Sequence, residues 1–110
     1  MAMNHTQTYF PPADLQVLLR DTARKVALDA AFDFARVRGN FVTNDALQAA
    51  VDARLPVAIE AGLAASRAAY NAIMRDGQSV YAAEWVASAA FYDHVRSCGM
   101  GAAGTRGEVA

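Results

Sequence analysis

From Pro12 to Arg38 the apolar residues return at helical spacing, never in strict alternation with polar ones. At about 100° per residue, Leu15, Leu19, Thr22, Ala23, Val26, Ala30 and Val37 fall on one stripe, the expected core face of a first helix. Val17, Leu28, Ala31, Phe32 and Ala35 form a second patch on roughly the opposite side. A helix apolar on two sides is either central in its domain or shared with a partner. Arg20, Asp21, Arg24 and Lys25 supply its solvated remainder.

The boundaries are marked by capping residues. Pro11-Pro12 halts regular structure and opens the helix, with Asp14 facing the positive end of its dipole. Gly39-Asn40 can take the left-handed geometry that ends it, and Arg36 and Arg38 suit its negative end. Thr43 or Asn44, followed by Asp45, predicts the cap of a short second helix reaching about Arg54. Pro56 follows, and its ring would clash with the carbonyl of Asp52 in a continuous helix, so a corner at Leu55 or a strong kink is expected.

A third helix, Pro56 to Arg75, places Ile59, Gly62, Leu63, Ser66, Tyr70, Ile73 and Met74 on one face, flanked by Ala61, Ala65, Ala68, Ala69 and Ala72. So little polar surface marks it as the expected central, most buried element. Asp76-Gly77 ends it, and Ser79 can cap a fourth helix to about Ser97, carrying Tyr81, Trp85, Ala89 and Tyr92 on one side. Of the 7 glycines, Gly99, Gly101, Gly104 and Gly107 lie at the C-terminal end, which predicts a disordered tail over 99–110. No stretch alternates with β-branched residues, so no sheet is expected. The reading is an all-α bundle of about four helices, three long and one short, with an N-terminal arm over 1–10 and one domain over 11–98.

Composition narrows this picture. With 110 residues there is room for one modest core, and 26 of the hydrophobic residues are alanine, so that core is thin. Net charge is −1, which gives no strong pull toward phosphate or an anionic membrane. Apolar runs fall short of the roughly 20 residues that span a bilayer, and the N-terminus lacks the basic start and apolar run of a secretion signal. Cys98, the single cysteine, has no internal disulfide partner, in keeping with a cytoplasmic location.

Constellations that could carry chemistry are sparse. His94 and Cys98 share a helix face and could be half of a zinc site, but only His5 and scattered carboxylates are left to complete the ligand set. Di-iron bundles need Glu-x-x-His, whereas Glu60 is followed at that spacing by Leu63 and Glu84 by Ala87. Asp29 and Asp33 could bind a cation or share a proton; the plainer reading is an ion-pair ladder from Lys25 to Asp29 and from Asp33 to Arg36. Ser66, Ser79, Ser88 and Ser97 have no base at a suitable helical spacing, and phosphate-cradling loops are missing. The segment Thr43 to Arg75 could mimic a helix-turn-helix, but its second half opens Pro56-Val57-Ala58-Ile59, not with the polar and basic residues that read DNA.

Tyr81, Trp85 and Tyr92 stand at helical spacing, with Arg96 on the same side. Such a line most often packs into a core, yet it is also the best interface candidate in the chain, since Trp and Tyr join large apolar area to a polar tip. The sequence therefore reads as a non-catalytic protein without a cofactor or bound metal. It would act as an adaptor, inhibitor or regulator by binding a protein partner, and would also self-associate. Its interface candidates are Val17, Leu28 and Phe32 on the second patch and Tyr81, Trp85, Tyr92 and Arg96 on the aromatic line. Two alternatives are a nucleic-acid accessory using Arg20, Arg24, Arg36 and Arg38, and a small-ligand or metal binder using Asp29, Asp33, His94 or Cys98.

Overall fold

The computed structural model describes residues 7–39 and 43–108, with side chains through 104. Three helices account for most of that chain: α1 (Ala13–Arg38), α2 (Asn44–Arg75) and α3 (Val80–Glu108). Strands are absent among the described residues. The caps act as their chemistry suggests. Gln16 folds back, its Nε2 donating to the Pro11 carbonyl at 2.9 Å, and Gly39 closes α1 at φ 70°, its N–H donating to Arg36 O. Thr43 Oγ1 accepts the Ala46 N–H at 3.1 Å and Ser79 Oγ accepts the Ala82 N–H at 3.1 Å. Asn40, expected to share in ending α1, lies outside the described residues, as do arm residues 1–6.

Two expectations are corrected by helix continuity. No corner divides the chain at Leu55: the short helix and the one after it are a single element with Pro56 inside it. A proline inside a helix loses one backbone donor and crowds the carbonyl four residues back, here that of Asp52, but α2 has buried residues on both sides of it, Leu47, Val51 and Leu55 before and Leu63, Ser66 and Tyr70 after, whose packing offsets that cost. The second correction concerns the tail. Helix α3 runs on through Gly99, and Ala102 and Ala103 are buried in the core. Glycine there is a packing residue, and what frees a tail is exposed backbone, not glycine count. Residues 109–110 lie outside the described residues.

Buried positions recur every four residues: Leu19, Ala23, Ala27, Ala31 and Ala35 on α1, Leu47, Val51 and Leu55 on α2, and Ala83, Ala87, Phe91 and Val95 on α3. Each step of four overshoots a full turn by about 40°, so the buried line winds around its helix. A straight stripe therefore misassigns its far end. Ala31 and Ala35, expected on the second patch, are core, and Val37, expected in the core, is 80% exposed.

The helices run up, down and up, so α1 and α3 are parallel: Thr22 lies beside Tyr92, Ala27 beside Gly99, and Phe34 beside Gly104. Helix α3, not the Pro56–Arg75 segment, is the central wall, packing on both α1 and α2 while those two meet more sparingly. Ala61, Ala64, Ala68 and Ala72 accordingly face outward on α2. Two features seat α3. A Cβ on Gly99 would press into the Ala27 carbonyl oxygen, so the α1 and α3 backbones touch there, and a Cβ on Gly62 would stand 2.9 Å from the Phe91 ring, which fills the place of the missing side chain.

Along the α1–α2 seam the contacts are polar. Arg24 grips Asp52 through two bonds of 2.8 and 3.1 Å, and Arg20 reaches Glu60 at 3.4 Å. The result is a rod of 63 × 21 × 20 Å, one core line thick. Its radius of gyration is 16.7 Å, against about 13 Å for a rounded domain of this length. The thin core implied by the alanine content is thus spread along the whole length of the molecule.

Candidate interaction face

The beginnings of α1 and α3 lie side by side because the two helices are parallel. At that end the described arm docks: the Tyr9 N–H donates to Asn71 Oδ1 at 2.8 Å, and its side chain packs against Tyr70, Ala83 and Ala87. The large exposed apolar residues gather at the same end. Phe10, Val17, Leu18, Val80, Tyr81 and Trp85 belong to it, while Val57 lies at mid-rod and Val37 and Met100 toward the far end.

Tyr81 and Trp85 are 77% and 70% exposed, so the expectation that favoured a core role for the aromatic line is corrected for these two. Their outward position follows from the winding core of α3. The line Ala83, Ala87, Phe91 and Val95 takes up the inner face, and Tyr81 and Trp85 fall on the opposite side of the same turns. Tyr92 sits at the margin. Its ring meets Phe91 edge-on at a centroid distance of 5.6 Å, and its hydroxyl shares a 2.8 Å hydrogen bond with Thr22 Oγ1. It is partly buried and joins the surface line to the core. Arg96 follows a turn later, its Nη2 donating to Asp93 Oδ1 at 2.8 Å.

Two open hollows flank the indole. One, of about 320 Å³, is lined by Trp85, Ser88, Ala89, Tyr92 and Arg96; the other, of about 380 Å³, by Tyr81, Ala82, Trp85 and Val86. Both are shallow, small residues at 82, 88 and 89 are among their linings, and Trp85 is common to the two. The face thus carries an exposed indole with an open depression on each side of it.

The other expected patch does not stay together. Val17 is exposed, but Leu28 and Phe32 are partly buried and packed against the core. Leu18, which pattern reading left unassigned, is exposed one turn before Thr22.

The groups considered for chemistry remain apart. Lys25 meets Asp29 and Arg36 meets Asp33, each at 2.9 Å, and both aspartates are exposed. His94 is exposed and Cys98 partly buried, and His5 lies outside the described residues. Among the described residues no three His, Cys, Asp or Glu side chains converge as a metal site would require. Burial pushes the Cys98 thiol up from its ordinary pKa, with Arg54 opposing in part. Of the arginines considered for nucleic acid, Arg20, Arg24 and Arg36 are held by carboxylates, and Arg38 lies over the Phe34 ring at 5.3 Å. No helix among the described residues is long and apolar enough to cross a membrane.

Comparison with known proteins finds no matching family model, curated protein or solved structure. The functional reading rests on the geometry of this face.

Proposed function

We propose that this protein is a non-catalytic helical binding module that acts as an adaptor, inhibitor or regulator, with the Tyr81–Trp85–Tyr92 line of α3 as its working surface. The observation that carries the reading is the exposure of Trp85 between two hollows, at the end where most of the large exposed apolar residues collect. An exposed indole gives a fold nothing, whereas Trp and Tyr are the residues on which interface energy concentrates. Exposed aromatic side chains that share hollows on one helix face are the kind of apolar surface that marks an interaction site. A cytoplasmic setting belongs to the same reading, supported by a single cysteine with no internal partner.

Affinity capture with purified protein tests it. Proteins retained from a lysate of the source cell by wild type should be lost with Tyr81→Ala/Trp85→Ala and kept with Val57→Ala. An unchanged set of retained proteins in the double variant would overturn the reading.

A further inference from the structure

We infer that the occupant of this face is a second copy of the chain, paired through α3 against antiparallel α3 about a twofold axis at Ser88–Ala89. The inference rests on the binding reading above and commits it to one partner.

A twofold interface must be self-complementary, since each residue meets the counterpart of its own neighbours. The α3 face has that property. With the axis between Ser88 and Ala89, positions whose numbers are equally far from it lie opposite one another. Trp85 then enters the hollow bounded by the partner's Tyr92, and the partner's Trp85 does the same in return. At the axis stand Ser88 and Ala89, small enough to let two helices approach closely. Tyr81 falls opposite the partner's Arg96, placing a guanidinium over an exposed ring in the geometry of a cation–π contact. The exposed indole, the hollow, the small centre and the cation for the outer ring all lie within one strip from Tyr81 to Arg96, about 22 Å long at 1.5 Å per residue.

Area supports the pairing and sets its strength. Aromatic side chains bury about 150–250 Å² each, so Tyr81 and Trp85 at their observed exposures offer about 300 Å² per copy. Adding the exposed parts of Ser88, Ala89, Tyr92 and Arg96 brings the total for both copies to about 1,000 Å² at full burial, the size of a weak, transient contact. The expected dimer is therefore weak and reversible.

Trp85 is the only tryptophan, so its emission reports directly on the proposed contact. Between low micromolar and submillimolar protein, sedimentation velocity should shift from monomer to dimer and Trp85 emission should move to shorter wavelength over the same range. Ala89→Arg should abolish the dimer with no loss of helicity. In a Cys98→Ser background, Ser88→Cys should oxidise to a linked dimer and Val57→Cys should not. A chain that stays monomeric throughout, or a dimer indifferent to Ala89→Arg, overturns the inference.

Photo-crosslinking in the source cell separates this failure from failure of the underlying reading, with p-benzoylphenylalanine replacing Tyr81. A product of twice 11.7 kDa containing only this chain is the expected result. A product containing another protein overturns the second copy and leaves the binding face standing. No product at all overturns both.

Discussion

Gly99→Ala sets two effects of opposite sign against each other at one methyl group. In a free helix the change is favourable by about 1 kcal/mol, because glycine loses more backbone entropy on ordering. Here the added carbon would press into the Ala27 carbonyl oxygen and stand 3.0 Å from the Ala27 carbonyl carbon and 3.1 Å from the Ala31 nitrogen. These are backbone atoms of a helix and cannot rotate aside. Helices α1 and α3 must separate, and a gap of 0.5–1 Å already forfeits about a quarter to a half of each dispersion contact. The loss spreads along Ala23, Ala27 and Ala31 and the side chains of Val95 and Ala102.

Overpacking costs about 1–3 kcal/mol, and a clash with helix backbone belongs to the upper part of that range, so after the gain in propensity the net expectation is destabilisation by about 1–2 kcal/mol and a Tm lower by about 4–9 °C. Gly101→Ala is the control. Its nearest neighbour is Arg54 Nη1 at 3.3 Å, a side-chain atom and not helix backbone, so the change should cost clearly less than Gly99→Ala. Paired urea and thermal melts followed by far-ultraviolet circular dichroism measure both. A Gly99→Ala protein as stable as wild type would refute backbone contact between α1 and α3.

Pro56→Ala should stabilise by about 1–3 kcal/mol in urea melts, since it restores a donor to the middle of α2; destabilisation would mean that the chain needs a bend there. Ser66→Ala should also stabilise, by about 1 kcal/mol, because the Ser66 hydroxyl is fully buried and has no hydrogen-bond partner among the described residues; a loss of stability would reveal a partner. Hydrogen bonding from Arg24 lowers the Asp52 pKa despite opposing desolvation. The folded pKa being the lower one, the stability it confers is present above the ordinary carboxylate value and is lost as pH falls through the folded value. The difference in urea midpoint between wild type and Asp52→Asn should therefore shrink on acidification, and one that grew would contradict the pairing. Cys98, with its pKa raised by burial, should react with a disulfide reagent more slowly at neutral pH than an unfolded cysteine; equal rates would count against its partial burial.

Much of the local structure was legible because caps and turns are short-range chemistry. Gly39, Thr43 and Ser79 act where their side chains or φ freedom require. What the pattern hid was tertiary. Pro56 is a local breaker, and it is overridden by packing before and after it that no local rule weighs. Gly99 and Gly101 resemble linker residues until a second helix is laid against them. The four-residue winding of the core made Ala31, Ala35 and Val37 change sides relative to a straight stripe. For the candidate face, the aromatic spacing could be read directly, but the outward direction of Tyr81 and Trp85 depends on which side of α3 the other helices occupy. The split of Val17 from Leu28 and Phe32 has the same cause.

An alanine repeated every fourth residue offers a neighbouring helix nearly identical rungs, and a slip of four residues, about 6 Å along the axis, would exchange one alanine for the next at little energetic cost. The register of this bundle is therefore decided by its few unequal rungs. Phe91 fits opposite Gly62 and would meet a larger residue after a slip, and Gly99 is the point on α3 that can lie against the Ala27 backbone. Changing either residue alters which alignment is unique as well as how stable the native one is. Such variants should populate mixtures of slipped bundles, a loss of specificity that a stability measurement alone would record as a modest shift.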